Sequence, residues 1–198
     1  MIEIFDNVLF NEEQNEIEDF FTKHWSHSCN QFPWYLSGDH TVNETHYHQL
    51  KTKNTKEYLQ FCHLFYDRNV HPINYPYYKS PYFKPIQIIL NKYPIQNLTK
   101  IKVNFQPRCE TFLSDEHNTP HVDSQKPHNV FLYYVNDSDG DTFIFNSDMS
   151  IKKRIEPKKG RLVCFDGSFF HAGSHPSKTD KRIVINFNSK KKTKNFLL

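Results

Sequence analysis

In the stretch Thr119-Pro120-His121-Val122-Asp123 an imidazole and a carboxylate stand two residues apart, just ahead of the apolar run 129–136, N-V-F-L-Y-Y-V-N. On an extended chain residues i and i+2 share a side, so His121 and Asp123 can converge on one metal ion while Val122 faces away. The sequence holds 12 histidines and 12 aspartates in 198 residues, which gives roughly 0.7 such triplets by chance. The pair therefore needs a third donor. One imidazole from elsewhere would complete one face of an octahedron and leave three positions open to other ligands.

The segment F-F-H-A-G-S-H-P, residues 169–176, supplies two candidates. His171 follows the Asp166-Gly167 turn that ends the strand-like run 161–165, so a rigid element would hold it. His175 lies between Ser174 and Pro176 in a loop, where positional precision is low, and it reads as a solvated loop residue. His171 is the expected third ligand. Further along, Arg182 opens R-I-V-I-N-F-N, with Val184, Asn186 and Asn188 on its side of the strand and Ile183, Ile185 and Phe187 on the other. An arginine at the mouth of a pocket offers a planar fork that grips a carboxylate bidentately, although an exposed strand arginine beside Asp180 would look the same. Lys102, Asn104 and Gln106 alternate with Ile101, Val103 and Phe105 in the same manner, and the two polar rows are expected to line one cavity.

The elements that must position these groups fall into two textures. From Asn11, a presumed cap, Ile17, Phe20, Phe21 and Trp25 recur at helical spacing behind an acidic first turn. Residues 54–66 repeat that logic with Tyr58, Leu59, Phe61, Cys62 and Phe65, and residues 82–92 form a weaker helix containing Pro85. After Leu98 the chain turns to short alternating or β-branched runs: 99–106, 129–136, 142–145, 161–165 and 182–188. They are separated by Asp139-Gly140, Lys159-Gly160, Asp166-Gly167 and Gly173-Ser174. Helices followed by many short strands predict an α+β chain, a two-sheet jelly roll with N-terminal helices packed on one sheet. The expected organisation is one domain over 1–198, with a helical and loop part at 1–98, a jelly-roll core at 99–188 and a basic tail at 189–198.

Composition narrows the function classes. A net charge of +3 with one dense basic run, Lys190 to Lys194, reads as a solvated terminus, and no basic-aromatic stripe argues for nucleic acid. Cys29, Cys62, Cys109 and Cys164 form no C-x-x-C pair, the N-terminus is acidic where a leader is basic, and no apolar run reaches the roughly 20 residues of a membrane span. A cytoplasmic protein with reduced thiols is expected, without a membrane partner. High aromatic content with only 5 glycines suggests a core and pocket lined by rings.

H-V-D, the run L-Y-Y-V-N followed by D-G-D-T-F, E-P-K-K-G-R-L-V-C-F-D-G-S-F-F-H-A-G and R-I-V-I-N-F together resemble the Fe(II)/2-oxoglutarate-dependent dioxygenases, on their prolyl-hydroxylase-like branch. The order and spacing match over roughly residues 99–188, and F-P-W-Y with I-K-V-N-F-Q-P is similar to small phage and bacterial members. The resemblance implies a double-stranded β-helix, the cupin-like jelly roll. It implies Fe(II) bound by His121, Asp123 and His171, and 2-oxoglutarate bound through its distal carboxylate by Arg182 and Tyr134, with Asn104 and Asn186 among the pocket contacts. Tyr134 would otherwise be a core ring. Relatives often carry Tyr where Gln106 stands, which leaves the roles of Asn104 and Gln106 open, and the Gly-Gly pair common before the Thr of D-G-D-T-F is here Gly140-Asp141. The implied reaction hydroxylates an aliphatic carbon, of a prolyl or similar residue in a peptide or protein or of a free amino acid, using O2 and releasing succinate and CO2, with ascorbate as reductant. Two rivals are a cupin-like metal enzyme that does not use 2-oxoglutarate, and an inactive jelly-roll binding protein. Substrate contacts are expected in 31–48, around Trp34 and Tyr35, and in the loop 107–120, unless Trp34 fills the core.

Overall fold

The computed structural model describes residues 1–23, 32–37, 50–68 and 77–191. Its elements are β1 (Ile2–Phe5), α1 (Asn11–Thr22), β2 (Tyr35–Leu36), β3 (Phe61–Asp67), β4 (Tyr78–Lys79), α2 (Lys84–Lys92), β5 (Leu98–Pro107), β6 (His128–Tyr134), β7 (Thr142–Phe145), β8 (Ile151–Ile155), β9 (Leu162–Asp166), β10 (His171–Gly173) and β11 (Lys181–Lys190). One sheet runs β1-β9-β6-β11-β5-β3-β2, with β4 on β3, and a smaller sheet runs β10-β7-β8. All the pairings between these strands, among the described residues, are antiparallel.

The alternation read in β11 and β5 decides which side of the large sheet does what. Ile183, Ile185 and Phe187 of β11 and Ile101 and Val103 of β5 share a core with Ile17 and Phe21 of α1 and Ile86 and Ile89 of α2. The helices thus cover one face of the large sheet. On the other face Val130, Leu132, Tyr134, Val163, Phe165 and Val184 pack with Ile144 and Ile155 from the small sheet. This is the expected jelly-roll sandwich, and Arg182, Asn186 and Asn188 lie in the phase that points between its sheets.

Three local expectations need correction. Asn11 is the first helical residue and not the cap; Phe10 occupies the cap, and its N–H donates to the Glu13 carboxylate at 2.9 Å. The helix expected over 54–66 does not form: residues 61–67 are β3, which pairs with β5. This strand carries apolar side chains on both faces although its burial alternates, and that near-continuous run mimics helical spacing. The part expected to be helix and loop accordingly contributes β1, β2, β3 and β4 to the large sheet. The third helix stands as α2, with Pro85 in the first turn, where the missing N–H costs no helical bond. Trp25 lies outside the described residues, as do Cys29 and most of 31–48. No helix among the described residues is long and apolar enough to cross a membrane.

Candidate metal centre

His121 and His171 meet across the gap between chain segments through a reciprocal backbone pair. His121 N–H donates to the His171 carbonyl at 3.0 Å, and His171 N–H donates to the His121 carbonyl at 2.9 Å. The 121–123 stretch is therefore an isolated bridge, and its extended geometry puts His121 and Asp123 on one side. One donor atom from each of His121, Asp123 and His171 lies within 4.8 Å of the others. His121 Nε2 is 3.8 Å from Asp123 Oδ1, and His171 Nε2 is 3.7 Å from Oδ2. Cis donors at about 2.1 Å from one ion lie roughly 3 Å apart, so a small side-chain shift closes these three on a metal.

Protonation favours the same reading. His121 Nδ1–H donates to the Thr119 carbonyl at 3.1 Å and His171 Nδ1–H to the Phe169 carbonyl at 3.3 Å. A carbonyl only accepts, so Nδ1 is the donor in both rings and Nε2 is the atom turned toward the site. His171 Nε2 is buried without a partner. The His121 imidazole is pushed down to about 4 by burial, then by the His171 charge and, last, by Lys102, against the pull of Asp123. Burial alone would raise the Asp123 carboxyl, but the charges of His171 and His121 and the amides of Asn186 and Asn188 outweigh it and hold it below the usual carboxylate range. Those amides donate to Asp123 Oδ2 at 3.0 and 2.9 Å, and Asn188 also donates to Asn186 Oδ1 at 3.0 Å. Asn186, expected to contact the co-substrate, lines the cavity and has its amide engaged in fixing the carboxylate.

The triad opens into a cavity of about 290 Å³. The polar rows of β5 and β11 both line it, with Lys102 beside Asn186, Asn104 beside Val184 and Gln106 beside Arg182 in the ladder. Arg182 is buried, not at an exposed mouth. Its Nη1 donates to Gln106 Oε1 and its Nη2 to Thr142 Oγ1 at 2.7 Å, while Nε has no partner. Among the described residues no carboxylate forms an ion pair with it. Gln106, whose role the sequence left open, orients the guanidinium. Asn104 lines the wall between the two ends.

Tyr134 does not line the cavity. Its hydroxyl donates to Thr142 Oγ1 at 2.7 Å, the oxygen that also accepts from Arg182. A threonine hydroxyl has two acceptor lone pairs and one donor hydrogen. With both lone pairs engaged, Thr142 can offer only its O–H to a ligand in the cavity it lines. Burial raises the Tyr134 phenol, which keeps it a donor in this relay. Thr142 was read only as part of the strand T-F-I-F; a strand pattern shows which side a residue takes but not how many of its lone pairs are filled. Asn118, in the loop 107–120 where substrate contacts are expected, and Gln60, which carried no sequence signal, are also in the cavity wall, and both polar side-chain atoms of the buried Asn118 lack partners.

His175 is buried and not solvated. Its ring packs against Tyr58 and Phe112, with centroids 5.2 and 5.1 Å apart, and Nδ1–H donates to the Pro107 carbonyl at 3.1 Å. It anchors the loop that precedes the triad and takes no part in it. Trp34 packs on Phe21, Phe32 and Phe105 at 5.8, 4.9 and 5.2 Å, on the helix-covered side of the large sheet. It belongs to the core, and Tyr35 stacks on His63 at 5.8 Å beside it, so neither faces the metal cavity.

Residues 109–190, the segment bearing the triad and Arg182, match the family model of the 2OG-Fe(II) oxygenase superfamily. Among solved structures, a prolyl hydroxylase in complex with a hypoxia inducible factor oxygen degradation domain peptide fragment from Trichoplax adhaerens superposes with a TM-score of 0.58 at 13% identity, covering 94% of this chain and 82% of that one. An oxidoreductase of the 2OG-Fe(II) oxygenase family from Burkholderia pseudomallei gives 0.60 at 8% identity, covering 94% and 84%. A comparison with curated protein sequences gives no match. The fold is that of these oxygenases. The segment 109–190 is thus similar to the 2OG-Fe(II) oxygenases, and it carries His121, Asp123 and His171, which could hold a metal ion.

Proposed function

We propose that His121, Asp123 and His171 hold the Fe(II), that Arg182 and Thr142 grip the distal carboxylate of 2-oxoglutarate, and that the enzyme hydroxylates an aliphatic carbon with release of succinate and CO2. The substrate is a prolyl or similar residue in a peptide or protein, or a free amino acid. The prolyl part rests on the fold shared with the Trichoplax hydroxylase, by analogy. Bound together, Fe(II), 2-oxoglutarate and O2 supply the oxidising chemistry. This chain contributes two imidazoles whose Nε2 atoms face the site, an ionised carboxylate, an amide pair that fixes the carboxylate, and a buried cation at the far end of the same cavity.

The observation that carries the reading is Arg182. A buried guanidinium without an acidic partner is costly unless an anion joins it. Its unpartnered Nε and the free O–H of Thr142 suit a carboxylate oxygen. A metal enzyme that made no use of 2-oxoglutarate would leave this cation without purpose, and a mere binding scaffold would leave the convergence of His121, Asp123 and His171 unexplained. We read 1–198 as one oxygenase domain, because β1 and β3 are built into the sheet that carries the site. A reducing, cytoplasmic setting accords with free Cys62, Cys109 and Cys164.

The test incubates the Fe(II) protein with 2-oxoglutarate, O2, ascorbate and a library of proline-containing peptides and free amino acids. Succinate and a mass gain of one oxygen on one library member are expected. Succinate without a modified member would remove the proposed substrates and leave the oxygenase, whereas no succinate under any condition would remove both.

A further inference from the structure

Lys102 is a half-buried lysine in the wall of the metal cavity. Its cross-strand neighbours are Leu64 on β3 and Asn186 on β11, and its same-face neighbours along β5 are Lys100 and Asn104. None of these is an acid. Lys100, in the same wall, is exposed to solvent and has Asp67 opposite it in the ladder, while the half-buried Lys102 forms no ion pair or hydrogen bond with any described residue. The nearby Asp123 is engaged by Asn186 and Asn188 and faces the two histidines. Asn186 stands between Asp123 and Lys102, so the ammonium lies at the metal end of the cavity, remote from Arg182.

A charge count over the filled site isolates this lysine, and it rests on the reading given above. Fe(II) brings two positive charges, balanced by Asp123 and by the keto-acid carboxylate of 2-oxoglutarate. Arg182 is balanced by the distal carboxylate. Lys102 is then an uncompensated cation beside the reacting centre, in a partly desolvated wall where an opposite charge interacts strongly. We propose that the primary substrate presents a carboxylate to Lys102, close to the carbon that is hydroxylated. Among the candidate substrates this selects a small acid such as a free amino acid over a neutral internal residue of a peptide. A cavity of about 290 Å³ that must also hold 2-oxoglutarate agrees with a small substrate, since pockets for drug-sized ligands run from roughly 300 to 1,000 Å³.

The experiment loads the protein with Mn(II) and 2-oxoglutarate and titrates it calorimetrically with free L-amino acids and, in parallel, their carboxamides, which lack the carboxylate. At least one acid should bind, and its carboxamide at least tenfold more weakly. Lys102→Met should lose that acid tenfold or more and erase the discrimination, with Mn(II) and 2-oxoglutarate affinities changed less than twofold, and Lys102→Arg should retain the preference. The proposal is overturned if no acid binds, if carboxamides bind as well as acids, or if Lys102→Met keeps the preference. A tenfold loss of 2-oxoglutarate affinity in Lys102→Met would also overturn it, by assigning the lysine to the co-substrate. Failure of the unaltered protein to bind Mn(II) or 2-oxoglutarate, measured beforehand, would instead strike the oxygenase reading and take this inference with it.

Discussion

The two histidines four residues apart show how little type and spacing decide without surroundings. His171 keeps a buried, unpartnered Nε2 turned to Asp123, whereas His175 has its ring between Tyr58 and Phe112 and its Nδ1–H on Pro107. His171→Ala should abolish stoichiometric Mn(II) binding, read by calorimetry. His175→Ala should retain it while lowering stability by about 1–3 kcal/mol, the usual range for losing a buried, hydrogen-bonded side chain. The reverse pattern would exchange their roles. At the other end of the cavity, Arg182→Ala should weaken 2-oxoglutarate by roughly 2–5 kcal/mol, the scale for truncating one side of a buried charge pair. Arg182→Met should leave the ligand-free protein as stable as before or more so, because it removes a buried cation that lacks an acid. Thr142→Val should cost more 2-oxoglutarate affinity than Tyr134→Phe, since only Thr142 lines the cavity and Tyr134 acts through it. Equal losses would argue for direct contact by the tyrosine.

Strands whose two faces differ in polarity were readable, and a strand with apolar side chains on both was not. In β5 and β11 one face meets the helices and the other meets polar space, so Ile183, Ile185 and Phe187 alternate with Arg182 and Asn186, and the sequence displays both the strand and the cavity wall. β3 has His63 and Phe65 in the helix-side core and Cys62 and Leu64 facing Asn104 and Lys102, which erases its alternation. The convergence of His121, Asp123 and His171 was legible because three side chains define it. The relay Tyr134-Thr142-Arg182 was not, because it depends on which atoms are already hydrogen-bonded. Trp34 was ambiguous for a related reason, since a ring-rich loop segment looks alike whether it packs inward or receives a ligand. Its contacts with Phe21, Phe32 and Phe105 predict that Trp34→Ala lowers stability toward the lower end of about 3–5 kcal/mol. Mn(II) and 2-oxoglutarate affinity should be unchanged, and a selective loss of either with stability intact would return Trp34 to the site.

For the whole molecule, the buried histidines set the dependence of stability on pH. His175 is pushed down to about 4 by burial and, less strongly, by the Arg182 charge, against the pull of its Pro107 hydrogen bond. His121 is likewise depressed to about 4, by burial first, and burial also lowers His63 and His117. An unfolded histidine titrates near 6.5, so between that pH and about 4 the unfolded chain takes protons that the folded chain refuses. Unfolding then becomes easier as pH falls. The ligand-free protein should hold its full stability above about pH 6.5 and lose it progressively below, His175 alone contributing about 3 kcal/mol at one pKa unit per 1.36 kcal/mol. Asp123, held below the usual carboxylate range, extends the loss in the same direction at still lower pH. Mn(II) binds the folded site and adds stability by mass action. It meets His121 already neutral at pH 7, so its protection should fade on acidification as the triad takes up protons, while the contribution of His175 is independent of the metal. Urea unfolding at pH 7.5, 6 and 5, with and without Mn(II) and in His175→Gln, separates these contributions: the variant should show a shallower acid loss and an undiminished metal increment. Stability that rose between pH 7.5 and 5 would contradict the neutral, buried state of these histidines.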